Sequence, residues 1–128
     1  MAVYATTAGF TELAKLAAGE TAAAWTHIAL GTGTGQNASD TALDTETAAS
    51  GLARVGATMS TVTTTVSYDT IQAYKVFTAG ATATITEAGV FNASSSGDML
   101  IVGAVSPTAS MVSGDTLTLT MKCQFKAD

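Results

Sequence analysis

The chain has 128 residues, a formal charge of −5 and charged side chains at only 12% of positions, about half the share in an ordinary soluble domain. A domain of this size can bury roughly two thirds of its unfolded surface, so it needs neither a metal nor a disulfide to fold. There is no run of 18 apolar residues to cross a membrane as a helix, and the five basic residues, Lys15, Arg54, Lys75, Lys122 and Lys126, form no stripe, so neither membrane nor nucleic acid is expected as a partner.

Small residues (Ala, Thr, Gly, Ser) take the place of the missing charges. That composition suits a compact β-rich protein whose surface is covered by neighbours. Cys123 is the only cysteine. It is expected inside a strand as a small apolar residue, and an unpaired thiol fits synthesis in a reducing cytoplasm. The first residues do not read as a secretory signal, because Glu12 and Lys15 interrupt the apolar stretch.

Residues 1–19 read as an arm followed by a short helix. Phe10, Leu13, Ala14, Leu16 and Ala17 recur at helical spacing over residues 7–19. Thr7 or Thr11 can cap the start, Glu12 suits the first turn, and Gly19 is a natural stop. Trp25 to Leu30 reads as the first core strand. The Gly31 to Gly35 run that follows, G-T-G-T-G, has the wrong spacing for a dinucleotide loop, and no Lys-Ser/Thr pair follows it as a Walker loop requires. It is expected to be a plain loop. Residues 36–52 form a long polar loop; its acids Asp40, Asp44 and Glu46 do not match a calcium loop.

Leu52 to Val66 shows period two, with Val55, Ala57, Met59 and Thr61 on one side and Arg54, Gly56, Thr58 and Ser60 on the other. Gln72 to Thr78 is another strand. Ile85 to Leu100 is the stretch the rest must pack around. Two apolar runs flank Asn92 to Asp98, which is almost wholly turn chemistry, so a hairpin is predicted in the core of a sheet. Ser106 to Gly114, with the single proline Pro107, reads as a connection. Leu117, Leu119, Met121, Cys123 and Phe125 then alternate with Thr116, Thr118, Thr120, Lys122 and Gln124, giving one buried face and one solvated or partner-covered face. The sum is an all-β fold over residues 1–128. It is read as a single β-sandwich domain, jelly-roll or immunoglobulin-like, with one short N-terminal helix.

No catalytic constellation is expected. His27 is the only histidine, and no G-x-S-x-G elbow exists. Glu87 and Asp98 could face each other as a glycosidase pair across the hairpin, but Asp98 reads better as a turn cap. One His and one Cys cannot hold zinc. No cofactor, metal or catalytic residue is therefore assigned.

Several blocks are distinctive: F-T-E-L-A-K-L at Phe10 to Leu16, H-I-A-L-G-T-G-T at His27 to Thr34, and D-T-A-L at Asp40 to Leu43. They continue with G-L-A-R-V at Gly51 to Val55, I-T-E-A-G-V-F-N-A at Ile85 to Ala93, G-D-M-L at Gly97 to Leu100, and S-G-D-T-L-T-L-T at Ser113 to Thr120. Their order resembles small bacteriophage virion structural proteins, labelled head-decoration or tail-fibre proteins. The resemblance implies an oligomeric particle protein, made in the host cytoplasm, without enzymatic activity. The leading expectation is a capsid decoration (cement) protein, a trimer bound to the major capsid protein. The alternative is a tail, tail-fibre or baseplate component that touches the host surface. Ala2 to Ala8 and Gly35 to Ala49 are the expected contact regions.

Overall fold

The computed structural model describes residues 3–127; Met1, Ala2 and Asp128 lie outside them. The fold is all-β, with two antiparallel sheets and one short helix. In chain order the elements are β1 (Val3–Ala5), α1 (Thr7–Ala17), β2 (His27–Gly31) and β3 (Val55–Gly56). They continue with β4 (Thr58–Val62), β5 (Thr70–Thr78), β6 (Ala83–Phe91), β7 (Met99–Met111) and β8 (Thr116–Gln124). The five-stranded sheet has the order β1-β7-β6-β2-β3, and the three-stranded sheet the order β4-β5-β8.

The expected hairpin is the middle of the larger sheet. Val90 pairs with Ile101 and Phe91 with Met99. Its loop closes on Asn92: the Asn92 amide donates to the Asp98 carbonyl at 3.1 Å, and Asn92 Oδ1 accepts from the Asp98 amide at 2.7 Å. Gly97 sits at φ 74° in this loop, and a Cβ there would lie 2.6 Å from Asn92 Oδ1. Glycine meets both demands.

Alternation then sorts the side chains. Ile28, Leu30, Ala88, Val90 and Ile101 of the larger sheet share one buried cluster with Ala73, Phe77, Met121 and Cys123 of the smaller. Ala29, Phe91, Met99 and Val102 point the other way and form a second cluster closed by Leu43. The central strands of the larger sheet are thus buried on both faces, which is why they read as nearly continuous apolar runs. The smaller sheet is covered on one face only. Its outer face carries Thr58, Ser60, Tyr74, Val76, Thr116, Thr118 and Thr120, all exposed.

The helix is capped by Thr6, one residue ahead of the expected Thr7. The Thr6 hydroxyl accepts from the Gly9 amide at 2.9 Å and donates to the Met99 carbonyl. A Cβ on Gly9 would lie 2.8 Å from Leu100 Cα, so glycine lets the helix lie close on β7. Glu12 stands outside the first turn and pairs with Lys15 at 3.1 Å. The helix ends at Ala17, ahead of Gly19.

Four expectations differ from the structure. Residues 106–111 are not a connection: β7 runs on to Met111 and re-pairs with the start of β6, Ala109 opposite Ile85. Pro107 is tolerated because the ladder slips there, four residues of β7 (105–108) standing against one of β6 (Thr86) between the pairs Ala109–Ile85 and Ala104–Glu87. Leu52 to Val66 is not one strand: β3 lies in the larger sheet and β4 in the smaller, with Ala57 between them. Phe125 does not continue the buried stripe of β8; the strand ends at Gln124 and Phe125 is exposed. Trp25 is buried ahead of β2 rather than within it.

Candidate functional site

Pieces of four of the sequence blocks singled out above, G-T-G-T, D-T-A-L, G-L-A-R-V and I-T-E-A-G-V-F-N-A, meet on one surface, the face of the larger sheet turned away from the smaller one. S-G-D-T-L-T-L-T leads into β8 of the smaller sheet, and Leu13 and Leu16 of F-T-E-L-A-K-L pack on the cluster between the sheets. Residues 32–53 have no regular structure, yet residues 32–49 lie on this face as a fitted layer, before Ser50 and Gly51 reach the end of β5 and Leu52 enters the cluster between the sheets. Leu43 of D-T-A-L enters the cluster of Ala29, Phe91, Met99 and Val102. Gly89 leaves it room; a Cβ there would lie 2.8 Å from Met99 Sδ and 3.2 Å from Leu43 Cδ2.

Glu87 holds the layer down. It stands on β6 opposite Gly31, pointing to the same face, and is 1% exposed. A buried carboxylate must be satisfied or it is costly. Oε2 accepts from the Gly33 amide at 2.7 Å and the Thr45 amide at 3.0 Å, and Oε1 accepts from the Asp44 amide at 3.1 Å. One side chain therefore joins the G-T-G-T-G loop, the D-T-A-L-D-T loop and the central strand. The glycines follow from it: a Cβ on Gly31 would lie 2.6 Å from Glu87 Cγ, and one on Gly33 would lie 2.4 Å from Glu87 Oε2. These glycines admit a carboxylate of the chain itself where the sequence pattern invited thoughts of phosphate.

Arg54 makes the second anchor. Its guanidinium donates to both oxygens of Glu46, from Nε at 3.0 Å and Nη2 at 2.6 Å. Nη1 donates to the Ala93 carbonyl at 3.1 Å and the Ser96 carbonyl at 2.7 Å. The group lies 3.7 Å from the centroid of the Phe91 ring. The planar fork and its stacking are what arginine offers and lysine does not. The period-two reading put Arg54 on the polar side of a strand; in the structure its side chain is 7% exposed.

The remaining candidates are scattered. His27 is half-buried, with Nδ1 2.7 Å from Thr26 Oγ1. Asp98 closes the hairpin loop by bonding to Asn92, and Asn92 stands five residues beyond Glu87, which is about 17 Å of strand and well beyond the roughly 5–10 Å of a glycosidase pair. Asp40 Oδ2 accepts from the Asn37 amide at 2.9 Å in a local turn. Asp40, Asp44 and Glu46 do not converge, and no cluster of three metal-binding side chains exists among the described residues. Cys123 is buried on β8, and burial pushes its thiol pKa up.

Asp69 is a carboxylate the sequence reading passed over. It accepts from the amides of Thr64, Thr65 and Val66 and from Gln124 Nε2 at 2.8 Å. The Val66 amide, then the Gln124 side chain, hold its carboxyl well below the usual carboxylate range. Here, as at Glu87, an acid serves loop closure. Sequence carried half a signal for Glu87: an acid set in an apolar run must be answered by donors, though it does not say from where.

A family model described as Podophage GP4 fiber I protein gp80 matches residues 8–123. The chain belongs to that family. Membership makes it a bacteriophage virion structural protein, as the resemblance implied. No curated protein and no solved structure matches it. The podophage fiber match takes in both anchored loops, Glu87 and Arg54. No helix among the described residues is long and apolar enough to cross a membrane.

Proposed function

We propose that this chain is a subunit of a fibre assembly on the phage particle. It works as a homo-oligomer, a trimer, through distributed contact area and without covalent chemistry. The observation that carries the reading is the fiber family match over residues 8–123. The surface agrees with it. The outer face of the smaller sheet is flat and threonine-rich, with Tyr74 and Val76 at its centre and Lys122 its one charge. Such a face can approach a neighbour with little desolvation of charge. The anchored layer over residues 32–53 is the other large presented surface.

The capsid decoration reading, with the major capsid protein as partner, rests on the same low-charge sheet face, and the fiber description favours the tail side over it. Electron microscopy of particles with and without this chain tests the choice. Loss of density from the tail supports the fibre reading; loss from capsid surface points overturns it. Native mass measurement of the released protein tests the trimer.

A further inference from the structure

The helix and the smaller sheet leave a shallow, open groove of about 310 Å³ between them, lined by Leu13, Leu16, Trp25, Met59, Thr61 and Ile71. Leu13, Leu16, Met59 and Ile71 are only half-buried there. Trp25 is 5% exposed, and its Nε1 is buried with no hydrogen-bond partner among the described residues. A buried donor left unanswered is costly, so an acceptor is wanted at this place. The groove is too open to enclose most of a small ligand, and a side chain that arrives with its own backing suits it better. The loop over residues 63–69, which joins β4 to β5, presents one. Tyr68 is 71% exposed and stands at φ 58°, a left-handed backbone that tyrosine keeps only where its surroundings impose it. They do so here: the Tyr68 amide donates to Thr63 Oγ1 at 3.1 Å, and the Asp69 carboxylate holds the amides of Thr64, Thr65 and Val66. The Phe125 amide donates to the Asp69 carbonyl at 2.8 Å, which brings a second exposed aromatic residue to the loop.

We propose that the groove receives Tyr68 of a second copy of this chain, with the phenolic oxygen accepting from Trp25 Nε1. The two surfaces match in chemistry. Tyrosine carries an apolar ring with an acceptor oxygen at its far end, and the groove offers apolar walls that hold one unanswered donor. Reaching Nε1 takes rotamer changes among Leu13, Leu16 and Met59, of the kind interfaces commonly make. The braced loop has little freedom to lose on docking, and exposed Val66 and Phe125 add an apolar collar around Tyr68. Each chain's own Tyr68 is exposed and so leaves its own groove free. A two-fold pair would seat both tyrosines at once, whereas a ring seats each tyrosine in the next copy. The trimer proposed above takes the second form. This inference deepens the homo-oligomer reading and rests on it.

Native mass across a dilution series tests it, together with the indole N–H resonance of Trp25, the chain's only tryptophan. The parent should form trimers on concentration, and the indole resonance should move downfield as they form, as a new acceptor requires. Tyr68→Asn keeps a residue that tolerates the left-handed backbone and should weaken assembly about thirtyfold or more. Tyr68→Phe should weaken it about five- to tenfold and abolish the downfield move. Both variants should keep the parent's circular dichroism spectrum. Val112→Ser, at an exposed apolar residue elsewhere, should change nothing. Assembly of Tyr68→Asn as tight as the parent's overturns the seat and leaves the oligomer reading standing. An indole resonance that is the same in monomer and oligomer overturns Trp25 as the receiver. A two-fold dimer that is lost with Tyr68→Asn supports the seat and overturns the trimer. A chain that stays monomeric at every concentration overturns the oligomer reading, and this inference with it.

Discussion

Replacing Glu87 tests whether one carboxylate organises the loop layer. Each hydrogen bond to a charged acceptor is worth about 1.5–3 kcal/mol when sheltered. Asp44 and Thr45 are exposed residues and Gly33 is half-buried, so water can reach the donors and about 1 kcal/mol per bond is the safer figure. In Glu87→Gln, the surviving oxygen can keep Gly33 and Thr45, as Oε2 does now, and the new amine then faces the Asp44 amide, donor against donor. One bond is lost and one buried donor is left opposed, a cost of about 2 kcal/mol. Glu87→Ala removes all three bonds and leaves a void, about 4 kcal/mol in all. For a chain of this length each kcal/mol lowers the melting temperature by about 4 °C. Circular dichroism melts should therefore fall by roughly 8 °C for Glu87→Gln and 16 °C for Glu87→Ala. Glu20→Gln, on an exposed residue, should not move. Exchange of the Gly33 and Thr45 amides should quicken with Glu87→Ala. A Glu87→Gln protein melting within about 1 °C of the parent would refute the reasoning.

Arg54→Lys should cost about 2–3 kcal/mol by melting, because lysine cannot make the fork to Glu46, reach two carbonyls and stack on Phe91 at once. Exchange in residues 92–98 should quicken with it. Asp69 has a carboxyl pKa lowered by folding. Its stabilising contribution is therefore present above the ordinary value of about 4 and fades as pH falls below it. The melting temperature of the parent should drop between about pH 5 and pH 2, and Asp69→Asn should flatten part of that slope. Leu119→Asp, on the inward face of β8, should cost about 2–4 kcal/mol, while the neighbouring Thr120→Asp should stay within about 0.5 kcal/mol; similar melts for the two would contradict the assigned faces.

Much of the framework was legible because alternation reports which face of a strand is buried. The Ile85 to Leu100 hairpin and the β8 stripe were read from it directly, and Cys123 fell where it was expected. The misreadings have specific causes. Pro107 looked like a strand stop, but a slipped ladder beside β6 takes it in. Val55 to Thr61 kept its period across the passage from one sheet to the other, since a chain can change sheets at Ala57 without changing which side faces the core. Phe125 followed the stripe in sequence only, because backbone pairing with β5 ends at Gln124. The site was the least legible part. Glu87 draws its donors from residues 42 to 54 positions away, and no local pattern encodes that distance. The glycines of G-T-G-T-G were visible, but their reason lay on another strand.

The way residues 32–53 are fastened divides labour within that stretch. Its main fastenings come from below, through Leu43, Glu87 and Arg54, with Thr47 bonded to the Leu30 carbonyl and Leu52 set in the cluster between the sheets. Thr34, Ser39, Thr41, Ala42, Ala48 and Ala49 are exposed above it. A phage lineage could rewrite those outward positions, and so alter what the particle meets, while the seat beneath them stayed as it is.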